Sequence, residues 1–210
     1  MAAPIRDRRT EILDQALALF AERGLAAVST RDLADKAGLA RSHVYHYFKD
    51  WQSLRCEAFV RFAQRELDQA RLSLARLAGR EALEAFAAGW LTSTADPAST
   101  LWIDAWVEAL RDAGLAIAYN DAMQQWIALL EDALRRADVP HESLLARQVF
   151  ALINGYTLTA GLQTGAVTET ELPELLSAID RLIAGAFPRS ATKPAASGSR
   201  ARPRERRKSA

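Results

Sequence analysis

The sequence predicts an all-α protein. Apolar residues recur at three- and four-residue steps almost throughout, and glycine, proline and cap residues punctuate them at helix-length intervals. No segment reads as a convincing strand. The expected architecture is about nine helices, split into an N-terminal three-helix unit and a C-terminal helical body. With 210 residues, half of them apolar, the chain can fill one good-sized core or two small ones without covalent staples.

The first helix is expected from about residue 8 to Arg23, with Ile12, Ala16, Leu19 and Phe20 on its inner face and Gly24 as its stop. Thr30 is the expected cap of a short second helix, Arg31 to Ala37, whose face is Leu33, Ala34 and Ala37. After Gly38 a third helix spans Arg41 to Tyr47, with Val44 and Phe48 inward. Asp50 caps a long fourth helix from Trp51 to about Leu77, with the inner stripe Leu54, Ala58, Phe62 and Leu67.

Five more segments follow. One runs from Glu81 to about Leu91. The next opens on Asp96–Pro97, a cap with proline at the first helical position, and continues through Arg111. Gly114 interrupts before a helix to about Ala137, which stops ahead of Pro140. Glu142 to Thr164 is next. Thr170 to Phe187 closes the series with an apolar stripe of Leu172, Leu175, Leu176, Ile179, Leu182 and Ile183. From Pro188 onward Ser, Ala, Pro and Arg dominate, a composition expected to stay disordered.

The net charge of +1 conceals an asymmetry. Residues 1–55 hold nine Lys/Arg against seven Asp/Glu, for +2; residues 56–188 hold ten against eighteen, for −8. Residues 189–210 hold eight against one, Glu205, for +7. A polyanion partner is therefore expected at the ends and not at the middle, the basic tail adding a nonspecific, salt-sensitive attraction. One cysteine, Cys56, gives no disulfide framework or multi-cysteine zinc site and points to a reducing, cytoplasmic setting. The start of the chain has no uninterrupted apolar core, so it does not read as a signal peptide. No cofactor or metal is expected; His43 and His46 have no evident third ligand. Nor is a nucleophile–base set or a glycine-rich phosphate loop visible, so the chain does not read as an enzyme.

The second and third helices, joined by a turn at Gly38, match a helix-turn-helix: one exposed helix meets the DNA major groove while the other braces it. What stays outward on the third helix is Arg41, Ser42, His43, Tyr45, His46 and Tyr47, side chains that hydrogen-bond base edges and phosphates. The run VSTRDLADKAGLARSHVYHYFKDWQSL resembles the DNA-binding signature of the tetracycline-repressor (TetR) family of transcriptional regulators. The likeness rests on Thr30–Arg31–Asp32–Leu33–Ala34, on Ala37–Gly38–Leu39 and above all on Tyr45–His46–Tyr47–Phe48. Two departures stand out. Ala40 sits where the family usually has a capping serine, and Trp51 where a lysine is common.

This resemblance implies DNA-binding roles for Thr30, Arg31, Arg41, Ser42, His43, Tyr45, His46, Tyr47 and Lys49. Arg41, Ser42 and His43, on the leading turn, are the expected base readers. Thr30, Tyr45, Tyr47 and Lys49 are expected to grip phosphates, which position a protein without specifying sequence. It also implies a DNA-binding domain at 1–55, a ligand-sensing and dimerisation domain at 56–188 and a basic tail at 189–210. A homodimeric repressor on a palindromic operator, released by a small molecule, is the leading expectation. An activator, or a helical interaction module without DNA binding, is the alternative.

Residues 149–168 carry no charge, yet Asn154, the threonines and Gln163 make them too polar for a membrane span. Ala160, Gly161 and Gly165 would let another backbone approach, and with the last helix they suggest a four-helix interface between two copies; burial within one subunit is the alternative. The ligand site is expected at the aromatic-rich middle: Phe62, Phe86, Trp90, Trp102, Trp106 and Trp126, with Tyr119 nearby and Glu108 at the mouth. Rings plus a carboxylate suit a cation such as a quaternary ammonium compound. The run LWIDAWVEALRD is similar to the matching helix of the choline-responsive, BetI-like subgroup of the family.

Overall fold

The structure is a computed structural model that describes residues 7–93, 100–162 and 171–186. Pro97, Gly165 and the tail lie outside the described residues, as do the surroundings of Ala160, Gly161, Leu172 and Ile183. The described residues form nine helices and no strand. They are α1 (Arg8–Arg23), α2 (Thr30–Ala37), α3 (Arg41–Tyr47), α4 (Trp51–Leu74), α5 (Gly79–Ser93), α6 (Thr100–Ala109), α7 (Ala113–Arg135), α8 (Glu142–Leu162) and α9 (Glu171–Ala186).

Local chemistry sets the corner formed by α1, α2 and α3. Ser29, not Thr30, caps α2: its hydroxyl accepts from the Asp32 amide while the Asp32 carboxylate accepts from the Ser29 amide, a reciprocal capping box. Thr30 is thereby the first helical residue. Gly38 ends α2 in the left-handed conformation (φ 62°, ψ 36°), the region that favours glycine. Leu39 N–H then donates to the Ala34 carbonyl at 2.9 Å. Ala40 starts α3 with extended backbone and no side-chain hydrogen bond, whereas Asp50 caps α4 by accepting from Ser53 N–H at 2.7 Å.

Packing divides into two apolar clusters. The first joins Ile12, Leu19, Phe20, Leu33, Val44 and Phe48 to the first half of α4 and to Leu101, Ala105 and Leu115 of α6 and α7. The second joins the far half of α4 to α5, α7, α8 and α9. No packing break falls between residues 55 and 56. Helix α4 runs unbroken through that point, and its burial is shared between both clusters. Burying an aromatic or branched side chain contributes roughly 1.5–3 kcal/mol, so α4 is held at both ends by several such groups. Ion pairs add register between α1 and α4: Arg9 with Glu57, and Asp14 with Arg61 (2.7 Å) and Arg65 (2.5 Å). Burial alone would raise the Asp14 pKa, but the two guanidiniums outweigh it and hold the carboxyl below its usual range.

Within α9, Leu175 and Ile179 are fully buried against their own subunit, and Leu176 and Leu182 pack on the same cluster. This part of the stripe therefore closes the monomer core and is not free for a second copy. On α8, by contrast, Leu144, Gln148, Ala151 and Gly155 are exposed along one face. The spacing of four, three and four residues keeps them in line.

Candidate nucleic-acid interface and aromatic core

Helix α3 keeps only Val44 buried along its length, with Phe48 sealing its end. Its remaining side chains face outward: Arg41, Ser42, His43, Tyr45 and His46 are exposed, Tyr47 is half-buried, and Lys49 is exposed just beyond. The outward rings are mutually ordered. His43 stacks on Tyr47 at 5.6 Å and 20° between planes, and His46 meets Tyr47 edge-on at 5.3 Å. Arg9 of α1 braces this end, its guanidinium lying 5.0 Å over the Phe48 ring and its Nε–H donating to the Tyr47 carbonyl.

Two expected contact residues of α2 sit differently. Arg31 is exposed beside Asp35. Thr30, expected to grip a phosphate, is only 6% exposed, and its hydroxyl is 3.0 Å from that of Tyr45. Because Ser29 takes the cap, Thr30 moves into the helix and turns toward α3. It thus holds the Tyr45 phenol, which is itself 42% exposed. Trp51 is half-buried edge-on to Phe20 at 6.0 Å, so it packs the corner where a lysine would reach outward.

The aromatic residues of the body form one continuous set. Phe59 and Phe62 touch Trp102; Trp102 meets Trp90, Tyr119 and Trp126; Phe86 meets Trp90, Trp126 and Phe150. Ring centroids lie 5.0–6.3 Å apart, the spacing of packed aromatic pairs. Burial pushes the Tyr119 phenol pKa up. The Trp126 indole N–H is buried without a hydrogen-bond acceptor. Trp126 also lines a hollow of about 140 Å³ between α4 and α7, with Ala63, Gln64, Leu67, Asp121 and Gln125.

Of the seven expected ligand residues, Phe62, Phe86, Trp90, Trp102 and Trp126 come together. Trp106 and Glu108 do not. A four-residue step overshoots a full helical turn by about 40°, and the buried side of α6 runs through Leu101 and Ala105. Trp102 lies at the edge of that side and inserts; Trp106, one turn on, is 44% exposed. Glu108 is paired with Arg55 of α4 at 2.5 Å, both largely buried, so its carboxylate is not at a cavity mouth.

The sequence reading missed what α6 does with its other carboxylate. Asp104 Oδ2 accepts from the backbone N–H of Leu25, 79 residues earlier, in the loop between α1 and α2. Asp104 and Glu108, one turn apart, thus hold α6 against the N-terminal unit and α4. Trp102 of the same helix packs against both apolar clusters. Cys56 lies near this junction, its thiol pKa raised by burial and then by Asp112. Among the described residues no cluster of three or more potential metal ligands exists, and no helix is long and apolar enough to cross a membrane.

A three-helix corner with one polar helix turned outward, joined through a shared long helix to a helical body, defines a helix-turn-helix DNA-binding regulator. The sequence matches agree. Residues 12–56 match the family model described as "Bacterial regulatory proteins, tetR family", and residues 78–187 match "BetI-type transcriptional repressor, C-terminal". The chain belongs to the TetR family of transcriptional regulators, with a BetI-type C-terminal region.

Curated relatives divide along the chain. The HTH-type transcriptional repressor KstR2 of Rhodococcus jostii (strain RHA1) is 53% identical over 47 residues, 22% of this chain. That match spans 23% of the relative's own length. The HTH-type transcriptional regulator BetI of Cronobacter sakazakii (strain ATCC BAA-894) is 26% identical over 191 residues, covering 86% of this chain and 93% of the relative. The fold recurs in the crystal structure of a transcriptional regulator from Saccharomonospora viridis in complex with choline, with a TM-score of 0.68. That structure is 21% identical, over 83% of this chain and 94% of the other.

Proposed function

We propose that the chain is a homodimeric transcriptional repressor that binds a palindromic operator through α3 and is released by a small molecule. The observation that carries this reading is the exposed ridge of α3, polar along its outward side and fixed from behind by Val44, Phe48, Leu33 and Ala34. Arg41, Ser42 and His43 read base edges; Tyr45, Tyr47, Lys49 and Arg31 hold phosphates, with Thr30 orienting Tyr45. Residues 1–55 serve DNA binding, 56–188 sensing and pairing, and the tail of 189–210 adds nonspecific attraction. The exposed α8 face of Leu144, Gln148, Ala151 and Gly155 supports pairing with a second copy, which would set two α3 helices in successive major grooves.

The effector enters the aromatic core around Phe86, Trp90, Trp102 and Trp126, and its chemistry is that of a compact organic cation. The rings support this, and so does the shared fold with the Saccharomonospora viridis regulator in complex with choline. Glu108, held by Arg55, supplies no free carboxylate, so the rings carry the attraction, with Asp121 lining the hollow beside Trp126. Ligand prefers one arrangement of the body, and that preference alone shifts the population away from the DNA-competent state. The protein acts without catalysis and works in the cytoplasm. The test is a mobility-shift assay with palindromic duplex from the region upstream of its own gene, with and without choline. Sequence-selective retardation that choline relieves is the expected result. No selective retardation at moderate salt overturns the reading, and retardation indifferent to every small cation overturns the effector.

A further inference from the structure

We propose that operator binding by this protein takes up protons, with His43 and His46 as the groups that receive them. This rests on the reading of α3 as the DNA-facing helix and adds a regulation of that same surface. Two of the three histidines in the chain lie within the seven residues of α3, and both are exposed. Tyr47 holds them in place: His43 lies face to face on its ring and His46 stands edge-on to it, with the two imidazoles 6.3 Å apart. Neither imidazole has a hydrogen bond or an ion pair among the described residues.

Among the described residues, the acidic groups around this face are already paired. Along the chain Arg41 and Lys49 flank the pair, and Asp50 is taken up by the Ser53 amide and hydroxyl as the α4 cap. From α1, Arg9 lies over Phe48 and pairs with Glu57 of α4. On α2, Asp32 is tied to Ser29 and Arg23, Asp35 to Arg31, and Lys36 to Glu22. Among the described residues no carboxylate contacts either histidine, and the charged groups near them are cationic or neutralised. Duplex DNA reverses this by bringing a dense row of phosphates onto the same face. Imidazole is the side-chain group whose ordinary titration falls between about pH 5 and 8, so a phosphate row favours its charged form in the physiological range.

The sign follows from linkage. A complex that binds more protons than its separated parts tightens as pH falls and loosens as pH rises. The experiment measures affinity for the duplex that the full-length protein selects from a random-sequence library, at pH 6 and pH 8 across a salt series. Affinity about tenfold higher at pH 6 is expected. The slope of log affinity against log salt should also steepen by roughly 0.9 for each imidazolium placed on phosphate. The double variant His43→Gln/His46→Gln keeps hydrogen-bonding capacity at both sites and should lose both effects, leaving His141 as the remaining histidine. A wild-type affinity and salt slope that do not change with pH overturn the proposal while leaving DNA binding intact. So does a double variant that retains the full pH effect. Failure to select any duplex at either pH overturns the DNA-facing reading of α3 itself, and this proposal with it.

Discussion

The Asp104 carboxylate accepts a hydrogen bond from the Leu25 backbone N–H at 2.9 Å, tying α6 to the loop that leads into the helix-turn-helix. Leu25 is itself fully buried, and the preceding Gly24 sits at φ +84°, where a side chain would be strained. A Cβ at Gly24 would also approach Asp104 Oδ2 to 3.2 Å. The loop is therefore shaped to bring its amide to this carboxylate. Removing a charged acceptor from a part-buried amide costs roughly 1.5–3 kcal/mol. Asp104→Ala should lower stability by about that amount in urea unfolding, and Asp104→Asn, which keeps an acceptor, by about half as much. An equal loss in both variants, or none in either, contradicts the tether.

One turn further along α6, Glu108 meets Arg55, with side-chain exposures of 25% and 13%. Arg55 Nε is already buried without a partner, so the guanidinium depends on this one carboxylate. Breaking a buried pair from one side strands a charge, whereas replacing both partners need not. Glu108→Ala should therefore cost about 3 kcal/mol, and Arg55→Met/Glu108→Leu clearly less than the sum of its parts. A double-mutant cycle by thermal unfolding measures the coupling; additive losses would mean that the pair contributes nothing beyond packing.

These two contacts also mark where the sequence stops being informative. The helices were legible because their signals are local: the step from Ile12 to Ala16 to Phe20, or from Leu54 to Ala58, repeats within one turn. The outward set on α3 followed from the same periodicity, since Val44 and Phe48 are the inward positions. The Asp104–Leu25 and Glu108–Arg55 contacts join residues 79 and 53 apart, and no spacing rule reaches that far. Glu108 and Trp106 looked like a cavity mouth only because neighbours on a helix were assumed to share its buried side. At Ser29–Thr30 two adjacent residues are both good caps, and the side chain of Asp32 decides between them.

Acid should loosen the start of α4. The Ser53 backbone amide and then its hydroxyl hold the Asp50 pKa below its ordinary value of 3.8. A carboxylate whose folded value is depressed adds stability above its unfolded value, and that contribution fades as pH falls through the folded one. Thermal melting should therefore drop between about pH 4 and pH 2. Asp50→Asn still caps but does not titrate, and should shrink that drop while melting close to wild type at pH 7. An unchanged acid profile in the variant would assign the sensitivity to other carboxylates, Asp14 and Asp32 first, since both are also held low.

The missing cap at Ala40 offers a gain where the other substitutions bring losses. Ala40 has the extended backbone of a cap residue (φ −71°, ψ 146°) and is exposed, yet it supplies no side-chain acceptor to the first turn of α3. The His43 amide already turns back to the Ala40 carbonyl at 2.9 Å, so the turn is in place and only the hydroxyl is absent. Ala40→Ser should stabilise the fold by about 1 kcal/mol, read as a higher urea midpoint with an unchanged slope. Because α3 is only seven residues long, its first turn is a large part of the helix, and fraying there displaces Arg41 and Ser42. The same substitution should therefore slow dissociation from a selected duplex about twofold to fivefold. A gain in stability without slower dissociation would mean that α3 is already fully formed in the free protein and that the cap acts on folding alone.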